Sequence, residues 1–228
     1  MTYRRLIIDA LAVTTAYPFV SCASTSEDFV VGSCCDTNGP VVEITKDDSQ
    51  GSPYVSPWLA PAARPVAPDF TFQDQNGRSV RLSDFRGAPI ALSFAYTRCQ
   101  NQRKCPAVAR SLGELQKVLN SAALAPRPFV ALVTYDPDYD TPDVLARFAE
   151  GHGIAVDSKT LLLRPAADAR TDLFRSLNVA VNYRDGLVNL HGVQLILLDK
   201  QGRQVRTYHS LMWDNAAVLK DLARLAAE

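Results

Sequence analysis

Residues 89–106 read PIALSFAYTRCQNQRKCP. Pro89 to Tyr96 is an apolar run interrupted only by Ser93, the composition of a strand buried on both faces of a sheet. The run gives way to a polar turn that carries Cys99 and Cys105 with five residues between them. Beyond Pro106, apolar side chains fall at Val108, Leu112, Leu115, Val118 and Leu119, the spacing of a helix buried along one face. Such a unit places a reactive loop at the carboxyl end of a central strand, where open α/β sheets carry their sites.

The flanking segments extend the pattern. Asp69 to Leu82 alternates around Asn76-Gly77 and predicts a β-hairpin. PFVALVTYD (128–136) predicts a second buried strand. Thr141 and Pro142 open a helix that runs through Phe148, with Thr141 supplying a capping oxygen and Pro142 the first helical position. TLLLRP (160–165) reads as a short strand, and Asp168 to Leu177 as a helix. VQLILLDKQGRQVRTY (193–208) reads as two strands joined at Lys200-Gln201-Gly202, and Asp214 to Ala227 as a closing amphipathic helix. Strand–helix–strand, then helix, then hairpin and terminal helix is the thioredoxin order. The expected class is α/β with a thioredoxin-like fold: a central mixed β-sheet, helices on both faces, and an extended N-terminal segment ahead of it.

The chain has 228 residues, 47% hydrophobic and 21% charged, enough for one domain and an additional segment. Lys+Arg and Asp+Glu both number 24, so no basic surface for nucleic acid is expected. No apolar run reaches the roughly 18–20 residues that a membrane-spanning helix requires. Residues 1–23 place Arg4 and Arg5 before a mostly apolar stretch and then small residues, the order of an export signal. Asp9 and Pro18 depart from that pattern. Cleavage after Ala23 is one reading; the other takes Val20-Ser21-Cys22 as an imperfect lipobox with Cys22 lipidated. Residues 24–61 are expected to form a poorly structured segment, with a small hairpin at Asn38-Gly39 and then a proline-rich linker. The folded domain is expected over residues 62–228.

Five cysteines are present: Cys22, Cys34, Cys35, Cys99 and Cys105. The adjacent Cys34 and Cys35 suggest no chemistry. Cys105, followed by Pro106, is expected at a helix N-terminus, where the dipole and the neighbouring Arg98, Arg103 and Lys104 would lower a thiol pKa. Cys99 and Cys105 can be a structural disulfide, a redox pair, or two ligands of a metal. A third ligand has three histidine candidates. His152, in EGHG, fits a helix C-terminus, and His209, after a strand, fits the surface or packing. His191, in LHGVQLI, stands just before the strand whose leading loop meets the cysteine loop in a thioredoxin order. Thioredoxin-type reductases carry a cis-proline there, and this stretch has none.

LSFAYTRCQNQRKCP, YDPDYDTPDVLARFAEGHG and LHGVQLILLDKQGR, in this order, resemble the Sco/SenC family of thioredoxin-like copper proteins. The likeness covers roughly Pro65 to Ala227. The commonest family loop has three residues between its cysteines; a subgroup with longer spacing is similar to the five seen here. The resemblance implies Cys99, Cys105 and His191 as ligands of Cu(I) and also Cu(II). It implies a metallochaperone for the dinuclear copper centre of cytochrome c oxidase, with an oxidase subunit as copper acceptor and an N-terminal membrane tether. Asp136 and Asp140 match the family's acidic loop and are expected to order that loop. The alternative is a thiol–disulfide oxidoreductase or redox sensor that uses Cys99 and Cys105, with a thiol reductant protein as partner. Either reading places the protein outside the cytoplasm, periplasmic or on the outer face of a membrane.

Overall fold

A computed structural model describes residues 54–210 and 213–228. In chain order the strands are β1 (Tyr54–Val55), β2 (Thr71–Asp74), β3 (Ser79–Arg81), β4 (Ile90–Ala95), β5 (Phe129–Thr134), β6 (Thr160–Pro165), β7 (Val181–Arg184), β8 (Leu187–His191), β9 (Leu195–Leu198) and β10 (Gln204–His209). The helices are α1 (Cys105–Ala122), α2 (Pro142–Gly151), α3 (Arg170–Ser176) and α4 (Asn215–Ala227). Eight strands form one sheet in the order β1-β10-β9-β4-β5-β6-β2-β3, while β7 and β8 form a separate hairpin. β4, β5 and β6 run parallel; β9 is antiparallel to β4, and β2 to β6. This is the mixed, thioredoxin-like α/β sheet that the order of elements predicts.

The central strands are buried on both faces, which explains their unbroken apolar runs. Ala91 and Ala95 of β4 join Val130 and Leu132 of β5 in a core under α1 and α4. Ile90, Leu92 and Phe94 face the other way, with Ala131 and Val133, into a core that holds Leu173 and Phe174 of α3. Small side chains on the first face let α1 lie close to the sheet. On another side, at Gly113, α1 lies against the turn after α2, where a Cβ would stand 2.9 Å from the Gly153 carbonyl oxygen.

Three differences from the sequence reading have physical causes. The stretch expected as linker contributes β1, paired with β10, and buries Val55 in the core, so the packed unit extends back to Tyr54. Pro57 follows this two-residue edge strand closely, a position where a missing N–H costs no ladder bond. Thr141 precedes α2 as expected, but its side chain caps nothing; its carbonyl accepts from Leu145 instead. The β7–β8 hairpin was not anticipated, although Asp185 and Gly186 both adopt positive φ, +52° and +76°, as a two-residue hairpin turn requires. The expected hairpin at Asn38-Gly39 lies outside the described residues.

Candidate metal centre

Both cysteines stand at the end of the sheet where β4 finishes. The chain leaves Ala95, turns through Asn101, whose carbonyl accepts from Lys104 N–H at 2.9 Å, and enters α1 at Cys105. Asn101 Oδ1 also accepts from Arg103 N–H at 3.0 Å. This doubling-back brings the sulfurs towards each other across five intervening residues. His191 closes β8 and faces both: its Nε2 lies 4.0 Å from Cys99 Sγ and 3.6 Å from Cys105 Sγ. All three donor atoms fall within 4.8 Å of one another, and both thiols are free. At bond lengths of about 2.0 Å to nitrogen and 2.3 Å to sulfur, a trigonal ion sets its N···S edges at about 3.7 Å. The two observed N···S distances bracket that value, as one ion shared by the three donors requires.

The imidazole is prepared for this role. Its Nδ1–H donates to the Gly192 carbonyl at 2.9 Å, which leaves the Nε2 lone pair directed at the sulfurs. Tyr96 packs edge-on against the ring at 5.4 Å and Tyr135 lies against it at 5.0 Å, fixing its plane. The Tyr135 hydroxyl donates to the same Gly192 carbonyl at 3.2 Å. Burial lowers the pKa of His191 below its ordinary value, and Lys104 adds to the effect, so the ring stands neutral at pH 7. A neutral imidazole is the metal-binding form.

Cys105 corrects the expectation of a lowered thiol pKa. It is the first residue of α1, yet wholly inaccessible, and burial drives its pKa well above the ordinary thiol value. A helix terminus contributes about 0.3–1 kcal/mol to an anion, less than the cost of placing an uncompensated charge in an apolar core. The bases also act elsewhere. Arg98 donates through Nε and Nη2 to Asp136 at 2.9 and 2.6 Å and stacks 4.2 Å from the centroid of the Tyr139 ring. Arg103 points to solvent. A bound cation removes the obstacle, because coordination deprotonates the thiol outright.

The acidic loop orders the site from beneath. Buried Asp140 accepts from the Thr97 N–H at 3.1 Å and from the hydroxyls of Thr97 and Thr134. Asp136 holds Arg98, so the two aspartates fix the residues that precede Cys99, as their structural reading requires. His152 and His209 keep their bland readings: His152 Nδ1 meets the Phe148 carbonyl at 2.9 Å at the end of α2, and His209 ends β10 exposed. Sequence reasoning misses Tyr96 and Tyr135 as site residues. Their only sequence signal is position, one at the end of each central strand.

The family model for SCO1/SenC matches residues 60–227. The chain belongs to the SCO1/SenC family. Among family relatives, the SCO1 protein homolog of Bacillus subtilis is 30% identical over 89 residues, 39% of this chain and 44% of the relative. The chain thus spans less than half the length of that curated relative. The structure of a SCO1/SenC family lipoprotein from Bacillus anthracis is similar, with 25% identity and a TM-score of 0.64 over 72% of this chain and 95% of that one. Bradyrhizobium japonicum ScoI with copper bound shares the fold, with 22% identity and a TM-score of 0.58 over 70% of this chain and 99% of that one.

Proposed function

We propose that this SCO1/SenC protein is a copper metallochaperone that carries one ion on Cys99, Cys105 and His191. The convergence of two sulfurs and a neutral imidazole nitrogen within 4.8 Å carries the reading. Two soft thiolates favour Cu(I), and the imidazole completes a three-coordinate site that also accepts Cu(II). A structural zinc site would take a fourth ligand, and among the described residues no further Cys, His or carboxylate joins the cluster. Membership of the family supports delivery to the dinuclear copper centre of cytochrome c oxidase, with an oxidase subunit as acceptor and a thiol reductant keeping the pair reduced.

The export signal at residues 1–23, lipidated or cleaved, and a membrane tether through the N-terminus belong to the same proposal. Among the described residues no helix is long and apolar enough to cross a membrane.

The thiol–disulfide reading rests on the same pair of free, neighbouring thiols. Cys99, slightly exposed, would attack, and Cys105, buried with a raised pKa, would resolve. It gives His191 no task.

Cu(I) titration against a competing chelator separates the two readings, using the reduced chain with Cys22, Cys34 and Cys35 replaced by serine. One tight equivalent is expected, lost in Cys99→Ser and weakened in His191→Ala. Binding that ignores His191, or no tight binding, leaves thiol redox chemistry as the function.

A further inference from the structure

We infer that the face around the metal centre docks a copper-accepting protein whose receiving thiols lie among acidic residues. The inference rests on the copper-delivery reading and adds the chemistry of the partner. Residues 95–113 carry four basic side chains, Arg98, Arg103, Lys104 and Arg110, and no carboxylate, in a chain of zero formal net charge. Arg98 is spent on Asp136, and Arg110 donates to the Gln102 carbonyl at 3.3 Å. Among the described residues neither Arg103 nor Lys104 has a carboxylate partner. Two uncompensated positive charges therefore stand on the loop that holds the ligands.

The β7–β8 hairpin adds two exposed leucines among Arg184, Asp185 and Asn189. A cavity of about 450 Å³ is lined by Cys99 and His191 together with Lys104, the paired Arg98 and Asp136, and Leu187 of β8. Leu187 is 53% exposed and Leu190, next to His191, 64%. They lie on the β7–β8 hairpin, which stands outside the main sheet. Basic side chains on the cysteine loop and exposed leucines on the hairpin that carries His191 are the ingredients of a protein interface: the apolar contacts hold the partner and the charges steer it. A small thiol would occupy the cavity, but it would not need Leu190 or Arg103. A basic acceptor would meet like charge at the loop, which suppresses encounter.

The exchange itself balances without a redox partner. An acceptor thiol forms a Cu–S bond as a bond from copper to Cys99 or Cys105 breaks. The proton lost by the acceptor passes to the released thiolate, and the ion stays Cu(I).

The test mixes the Cu(I)-loaded chain, serine-substituted at Cys22, Cys34 and Cys35, with two synthetic peptides in stopped flow. Both contain a C-x-x-x-C core, one flanked by glutamates and the other by lysines. The glutamate peptide is expected to take copper about tenfold faster at low salt, within the range that electrostatic steering supplies. That advantage should shrink as added salt shortens the screening length to about 3 Å at 1 M. Arg103→Glu combined with Lys104→Gln should abolish or invert the preference. Leu187→Ser with Leu190→Ser should slow both peptides alike. The Cu(I) affinity of each variant is measured in parallel, so that altered transfer is not mistaken for an altered site. Anisotropy of the labelled peptides on the reduced, copper-free chain should give the same order of affinities. Equal rates and affinities for the two peptides, or a preference for lysines, would overturn the inference. A chain that holds no Cu(I) would instead overturn the copper reading, and the copper-free binding order would still decide the docking chemistry.

Discussion

The two ends of the central sheet solve opposite problems with buried polar groups. β9 runs antiparallel to β4, so Leu195 lies near the metal centre and Leu198 at the far end, where Asp199 follows. There the buried Arg64 guanidinium donates to Asp199 at 3.1 Å and to Glu228 at 2.9 Å, and its Nε donates to the Leu59 carbonyl at 3.0 Å. Asp199 also accepts from Arg203 Nε at 2.8 Å. Charge meets charge there, and each of these buried groups has its partner. At the metal centre, two thiols and an imidazole converge on a common point, and among the described residues none of the three has a charged partner. Groups buried with their partners hold a fold together; groups buried facing a common point are set for a ligand. The contrast teaches that burial alone does not mark a site, whereas converging donors do.

The largest test of that contrast is an exchange of phenotypes. Cys99→Ser should lower Cu(I) affinity by more than about 100-fold, since loss of even an outer-shell partner costs about 10–100-fold. Its urea midpoint should stay near that of the parent. Arg64→Met should do the reverse: Cu(I) affinity unchanged, and unfolding free energy lower by about 3 kcal/mol, as for removal of one partner from a buried pair. A copper defect in Arg64→Met would break the comparison.

Acid probes the paired end next. Burial alone would raise the pKa of Asp199, but hydrogen bonds from the Arg203 backbone and the Arg64 guanidinium outweigh it and hold the carboxyl below its ordinary value. A depressed folded pKa contributes stability above the unfolded value of about 4, and that contribution is lost as pH falls from there towards the folded value. Urea unfolding measured from pH 6 down to pH 3 should show this loss, and Arg64→Met should show less of it. Equal acid sensitivity in the two proteins would mean that the Arg64 pairing contributes nothing to the linkage.

The smallest effect sharpens the open end. Tyr135→Phe removes one of the two donors to the Gly192 carbonyl while keeping the ring against His191. Cu(I) affinity should fall by less than about tenfold, the low end for an outer-shell partner. A loss as large as that of Cys99→Ser would show that the hydroxyl, not the ring, positions the imidazole.

Much of this was legible in the residues because the informative strands are buried on both faces. Pro89–Tyr96 and residues 128–136 could be read as central strands from their unbroken apolar runs, and Ala107–Leu119 as a helix from spacing alone. β1 escaped because two residues between prolines have no period to read. β7 and β8 escaped because their burial alternates weakly and their leucines face solvent, so the Asp185-Gly186 turn was the sole strong signal. The ligand set was legible because soft donors at a strand end and ahead of a later strand carry chemistry in their identity. The tyrosines were not, because an aromatic ring beside a ligand looks like any core residue until the ring it touches is placed.

Residue identity by itself determined the thioredoxin-like order, the cysteine pair and the histidine that could join it, since local periodicity and side-chain chemistry survive without coordinates. Tertiary structure alone decided that Cys105 is buried rather than activated, that Arg98 serves Asp136, and that Nε2 of His191 faces both sulfurs. The reason is physical: desolvation and lone-pair direction depend on what surrounds an atom in space, and 86 residues of chain separate Cys105 from the imidazole that meets it.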